Sequence, residues 1–137
     1  MSQENVEIVR QAHEAFNRPD LGVFDIDALY RHTDPSFVVD WSRSHGLEAG
    51  TYQGEAATRR FWDTFFEAFE RVVVEPLDFV DHGEWVVVPH HLRALGRSGI
   101  EVEAHSAVVF TVRDGRIVEM RLYRSTAEAL EAVGLEG

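Results

Sequence analysis

Between positions 72 and 123 the chain turns to β-branched and aromatic residues, cut by short polar turns into four runs: 72–81, 85–95, 100–113 and 116–123. Runs of this composition read as strands. What precedes them is helical. In residues 5–16, Val6, Val9, His13 and Phe16 recur at helical spacing, and Ile8, Ala12 and Ala15 widen the stripe. A weaker helical stretch covers 23–31, and Asp34-Pro35 ends it before a short strand, SFVVDWS, at 36–42. Residues 43–53 read as a polar loop of the length that often forms a lid. Residues 55–69 then carry Phe61, Trp62, Phe65, Phe66 and Phe69 on one helical face, a spacing whose ordinary meaning is core packing. Ser125-Thr126-Ala127-Glu128 is a capping box that opens a last short helix ending near Gly134. Helices first and a run of antiparallel strands after them argue for an α+β fold, with helices packed on one face of a curved sheet.

Two details of the strands are testable. Pro76 and Pro89 lack an amide donor, so each belongs at an edge, a bulge or a strand end. The last hairpin turns at Arg113-Asp114-Gly115-Arg116. A two-residue Asp-Gly turn sets Phe110 against Glu119, whereas a three-residue loop with a bulged Gly115 sets Phe110 against Val118 and Val108 against Met120. The second register gives one apolar face and is expected. It leaves Ala107, Val109, Ile117 and Tyr123 on the opposite face with nothing to cover them, from which a homodimer is expected.

At 137 residues the chain is expected to be one domain spanning 1–137, and 45% apolar residues suffice for a core. With 9 Phe, 3 Trp and 3 Tyr it does not read as disordered. No apolar run is long enough to span a membrane, and the first residues carry no signal-peptide pattern. The absence of cysteine removes disulfides and thiolate chemistry and fits a cytoplasmic address. A formal net charge of −11 argues against nucleic acid, whose binding rests on neutralising phosphates.

The sequence lacks GxxxxGK(S/T), GxGxxG, HExxH and GxSxG. Its seven histidines make no metal set: His90 and His91 are neighbours on a strand and point to opposite faces, and the others stand alone. The acid that stands out is Asp40, between Val39 and Trp41 in a strand whose propensity disfavours it. Among apolar groups its carboxyl would titrate high and accept protons near neutrality; as a strand-end residue it would instead cap the next loop, the simpler reading of the spacing. His90 shares a face with Val86, Val88 and Leu92 and is expected to point inward, either as a hydrogen-bonded core histidine or as a group that donates to a substrate carbonyl. His45 rides on the 43–53 loop, where it is either solvated or closes over a site.

Taken in order, VEIVRQAHEAFNRPDL, DPSFVVDW, ATRRFWDTFFEAF, VVVPHHLRALGRSG and VVFTVRDGRIVEMRLYR resemble the SnoaL-like polyketide cyclase family. That family belongs to the nuclear transport factor 2-like superfamily, as do the ketosteroid isomerases. The resemblance implies a cone-shaped curved sheet wrapped around the N-terminal helices, enclosing an apolar pocket and often dimerising through its outer face. It also places Asp40 where the isomerases hold their general base. Their oxyanion-hole tyrosine falls at Ala12, and their second carboxylic acid at about Val108. The expectation is thus a protein for an apolar small molecule, needing no cofactor or metal. As an enzyme it would use Asp40 as base and His90 as polarising group; as a binding or dimerisation module it would have lost the catalytic donors. Phe16, Trp41, Trp62, Phe66, Val108 and Met120 are expected to line the pocket.

Overall fold

The computed structural model describes residues 2–16, 26–44 and 49–135. Among the described residues eleven elements follow one another: α1 (Ser2–Phe16), α2 (Ile26–Tyr30), β1 (Thr33–Asp40), β2 (Thr51–Gln53), α3 (Glu55–Glu67), β3 (Phe69–Pro76), β4 (Val80–His82), β5 (Trp85–Gly96), β6 (Glu101–Arg113), β7 (Arg116–Tyr123) and α4 (Thr126–Ala132). The strands form one sheet in the order β2-β1-β7-β6-β5-β3, with β4 also on β5. Its inner face packs against α1, α2 and α3, the α+β arrangement that the order of periodicities predicts. Among the described residues no helix is long and apolar enough to cross a membrane.

The sheet is not wholly antiparallel: β1 runs parallel to β7, with Val39 opposite Met120 and Asp40 opposite Arg121. Every other pairing among the described residues is antiparallel. The chain between β1 and β7 supplies the long crossover that a parallel pair requires. The expected 43–53 loop is shorter than the sequence indicates. Thr51–Gln53 forms β2 against β1, because Thr51, Tyr52 and Gln53 find Asp40, Val39 and Val38 as ladder partners. His45 lies outside the described residues.

Pro89 sits inside β5, the long central strand, yet its missing amide disrupts nothing. β4 pairs with residues 85–87 of β5 and β3 with residues 90–96, so Pro89 falls in the gap between two partners. Its carbonyl accepts from the Leu77 amide at 2.9 Å. Pro76 ends β3.

The β6–β7 hairpin corrects the expected register. Arg113 faces Arg116 across a two-residue turn in which Asp114 (φ 51) and Gly115 (φ 75) are both left-handed, the conformation Asp-Gly favours in a tight hairpin. The step out of register occurs further in, between Thr111 and Val112: Val112 faces Ile117 and Thr111 faces Glu119, so Val118 is the extra residue of a bulge. Beyond it Phe110 faces Met120 and Val108 faces Leu122. The bulge turns Ile117 into the main core, where it is fully buried with Val112. The other three residues expected to lie bare do not. α4 lays Ala129 and Val133 over Ala107, Val109, Val87 and Tyr123, forming a second, smaller core on the outer face. The apolar surface from which a homodimer was expected is therefore covered within the chain. α4 is capped as its sequence indicates, with the Glu128 amide donating to Ser125 Oγ at 3.1 Å.

A candidate ligand-binding interior

The interior is built from alternation. On β5, Val86, Val88 and His90 point to the helices, on β6 Val108 and Phe110, on β1 Phe37 and Val39, and on β7 Met120. α1 answers with Val9, Ala12 and His13, and α3 with Phe61 and Trp62. Four of the expected lining residues, Trp41, Trp62, Val108 and Met120, fall in this one cluster, and Phe66 packs against it. Their rings interlock: Trp41 stands edge-on to Phe61 at 5.4 Å and to Trp62 at 5.9 Å, and Trp62 lies 6.3 Å from Phe66. The side chain of Phe16 lies outside the described residues.

His90 points inward, and its partner is one the spacing did not pair with it. His13 on α1 and His90 on β5 meet Nε2 to Nε2 at 2.7 Å, with 2% and 6% of their surfaces exposed. The rings of Phe79 and Phe110 flank His13 at 5.7 and 5.2 Å. Burial lowers the His13 pKa to about 4 despite the hydrogen bond to the Val9 carbonyl, and burial lowers that of His90 well below the ordinary value, helped by His13. Both rings are therefore neutral at pH 7. His13 Nδ1 lies 2.8 Å from the Val9 carbonyl, which only accepts, so that nitrogen carries the proton of His13. His13 Nε2 is then bare, and His90 Nε2–H donates to it. This is the hydrogen-bonded core histidine of the two readings the sequence left open, and it leaves His90 without a ring proton for a substrate carbonyl, the other one.

Asp40 departs furthest from expectation. Phe37, Val39 and Trp41 enter the core, so Asp40 and Val38 point to the outer face. There the carboxylate accepts from the Ser42 amide at 3.1 Å, the Ser42 hydroxyl at 2.6 Å and the Thr51 hydroxyl at 3.3 Å, and Arg43 stands 3.3 Å away. Burial acts to raise its pKa, but the bonds from Ser42 and the Arg43 charge outweigh it and leave the carboxyl below its ordinary value. It clamps the turn after β1, the capping role, and a raised pKa inside the cone is ruled out. Asp40→Asn is accordingly expected to lower stability at pH 7 by about 1 kcal/mol, since charge-assisted bonds are lost. A group held below its ordinary pKa of 3.8 contributes above that pH and loses its contribution as the pH falls through the folded value, so melts of the two proteins should converge as the pH drops below 3.8. A variant that melts higher than wild type at pH 7 would contradict the clamp.

A second polar group in the interior gave no clear signal in the sequence. Tyr30, at the end of α2, bonds the hydroxyl of Thr58 on α3, and the Thr58 hydroxyl donates in turn to the Gly54 carbonyl at 2.8 Å. Burial raises the Tyr30 pKa. Arg59 covers the outer side of the Tyr30 ring at 4.5 Å. This arrangement ties α2 to α3.

Solved structures share the architecture across nearly the whole chain. TerC, co-crystallised with polyporic acid, superposes with a TM-score of 0.74 at 20% identity, covering 95% of this chain and 97% of that one. An NTF2-like protein of unknown function from Burkholderia pseudomallei K96243 gives 0.73 at 24% identity, covering 96% and 98%. SalBIII, an epoxide hydrolase/cyclase-like enzyme of pyran ring formation in salinomycin, gives 0.71 at 22% identity, covering 90% and 92%. Among curated proteins no sequence matches. The model of the SnoaL-like domain matches residues 9–120, most of the chain, and the protein belongs to that family.

Proposed function

We propose that this protein binds an apolar small molecule in the interior of the cone, beside the His13–His90 pair, and does not convert it. The observation that carries the reading is a pair of neutral histidines, bonded to each other and set against an aromatic and aliphatic core cluster. A buried polar pair gives an apolar ligand one point of orientation, as small-molecule sites commonly do. The rival reading, a cofactor-free enzyme with Asp40 as general base, needs a carboxylate facing the ligand. Asp40 faces the other way, tied to Ser42 and Thr51. Polyporic acid, present in the TerC crystal, is a first probe by likeness of fold.

The test is a thermal melt with polyporic acid and a panel of fused-ring phenols, ethers and ketones. A ligand at about 100 times its Kd adds roughly 3 kcal/mol to stability, so the wild-type melt should rise by several degrees with at least one compound. A melt that no compound moves would sink the reading. Recovery of a chemically altered compound would overturn the non-converting part and restore the enzyme.

A further inference from the structure

Resting on that reading, we propose that the interior selects ligands which present a hydrogen-bond donor, such as a phenol or enol hydroxyl, to His90 Nδ1. The argument is a proton inventory. Two neutral imidazoles hold two N–H protons on four ring nitrogens. One is committed to the Val9 carbonyl and the other lies between the two Nε2 atoms. His90 Nδ1 is therefore a bare lone pair, and among the described residues no hydrogen bond reaches it. Ser106 lies opposite His90 in the β5–β6 ladder, but its hydroxyl makes no bond to the ring.

An acceptor in this setting discriminates by what it leaves unsatisfied. A hydroxyl-bearing ligand completes the chain from ligand to His90 to His13 to the Val9 carbonyl, each link a donor meeting an acceptor. A ketone in the same place sets its oxygen against the lone pair of Nδ1, and neither atom has a proton to share. An ether of the same shape removes the donor without adding much bulk. The chain cannot be reversed cheaply, because its far end is a helix carbonyl that never donates. Reversal would break the His13 bond to Val9 inside the core.

Three probes of one skeleton test this: 2-naphthol, 2-methoxynaphthalene and 2-acetylnaphthalene, titrated calorimetrically into wild type and His90→Phe. Wild type is expected to prefer the naphthol over the ether and the ketone by about fivefold to tenfold, the worth of one neutral hydrogen bond. In His90→Phe the preference should vanish while all three still bind. Equal or tighter binding of the ether or ketone by wild type would overturn the proposal and leave the binding reading standing; binding of none of the three would remove both. Since His90→Phe removes a buried bond and can unfold the chain, nitrogen-15 NMR of wild-type histidines gives an independent readout. The proposal requires Nδ1 protonated in His13 and unprotonated in His90, and a protonated His90 Nδ1 overturns it.

Discussion

On acidification from pH 7 to pH 5 the wild-type protein is expected to lose about 2 kcal/mol of stability through His13 alone, with a further loss of the same sign from His90. The His13 pKa falls from its ordinary 6.5 to about 4 in the folded state, so between those values the unfolded chain takes up a proton that the native one refuses. Stability must then fall with pH across that window. At roughly 3 °C per kcal/mol for a chain near this size, the melting temperature should drop by about 6 °C or more. The carboxyls held low, Asp34, Asp40 and Glu84, start from ordinary values of 3.8, 3.8 and 4.5 and contribute their losses below those values. His32, lowered by burial and then by Arg31 and Arg116, adds a smaller loss of the same sign. Replacing both partners, His13→Leu with His90→Leu, should flatten most of the slope, because neither an unpaired ring nor a refused proton remains. A wild-type melt that holds constant from pH 7 to pH 5 would show that the pair accepts a proton without strain.

Val108→Asp is expected to cost about 4 kcal/mol at pH 7, the work of holding a buried carboxyl neutral roughly three units above its ordinary pKa. Val108 has 1% of its surface exposed and lies between Val88 on β5 and Leu122 on β7. No cation faces it in that core cluster. The variant's deficit should shrink toward pH 4, where the unfolded chain also carries a neutral acid. Val108→Asn separates the charge from the shape, since its deficit should not change with pH. If Val108→Asp instead matches Val108→Asn at pH 7, the carboxylate is ionised and hydrated, and this part of the wall is wet. The position is where the resembling isomerases hold an acid, so the same measurement shows whether this interior tolerates one.

Much of the fold was legible because it follows from periodicity. The stripe Val6-Val9-His13 faces the core, as does the alternation Val86-Val88-His90, and Ser125-Glu128 caps α4. Both members of the histidine pair were on inward faces in the sequence reading. What spacing lacks is the docking of α1 across β5, which brings one to the other. The hairpin register failed for a related reason. Asp-Gly did specify a two-residue turn, but the bulge at Val118 is set by distant partners: the Ile117 amide donates to the His32 carbonyl and the Val112 amide to that of Glu84. The reading of Asp40 as an interior base set aside the alternation of its own strand, although the spacing also offered the capping role that the structure shows. Its two apolar neighbours, Val39 and Trp41, are on the core side, which places the acid between them on the other.

The parallel pairing of β1 with β7 joins the first strand of the chain to the last. Antiparallel neighbours β5, β6 and β7 connect through short turns and can zip together as soon as each emerges. The seam with β1 cannot, since its closure must first restrain all the intervening chain, and such long-range contacts slow folding. β1 therefore has β2 and α3 to pack with early, but gains its β7 ladder only once residues 116–123 are made. A chain halted before Arg116 would keep the long β5–β6 hairpin but have no edge on which to seat β1, and its aromatic interior would be open to chaperones and proteases.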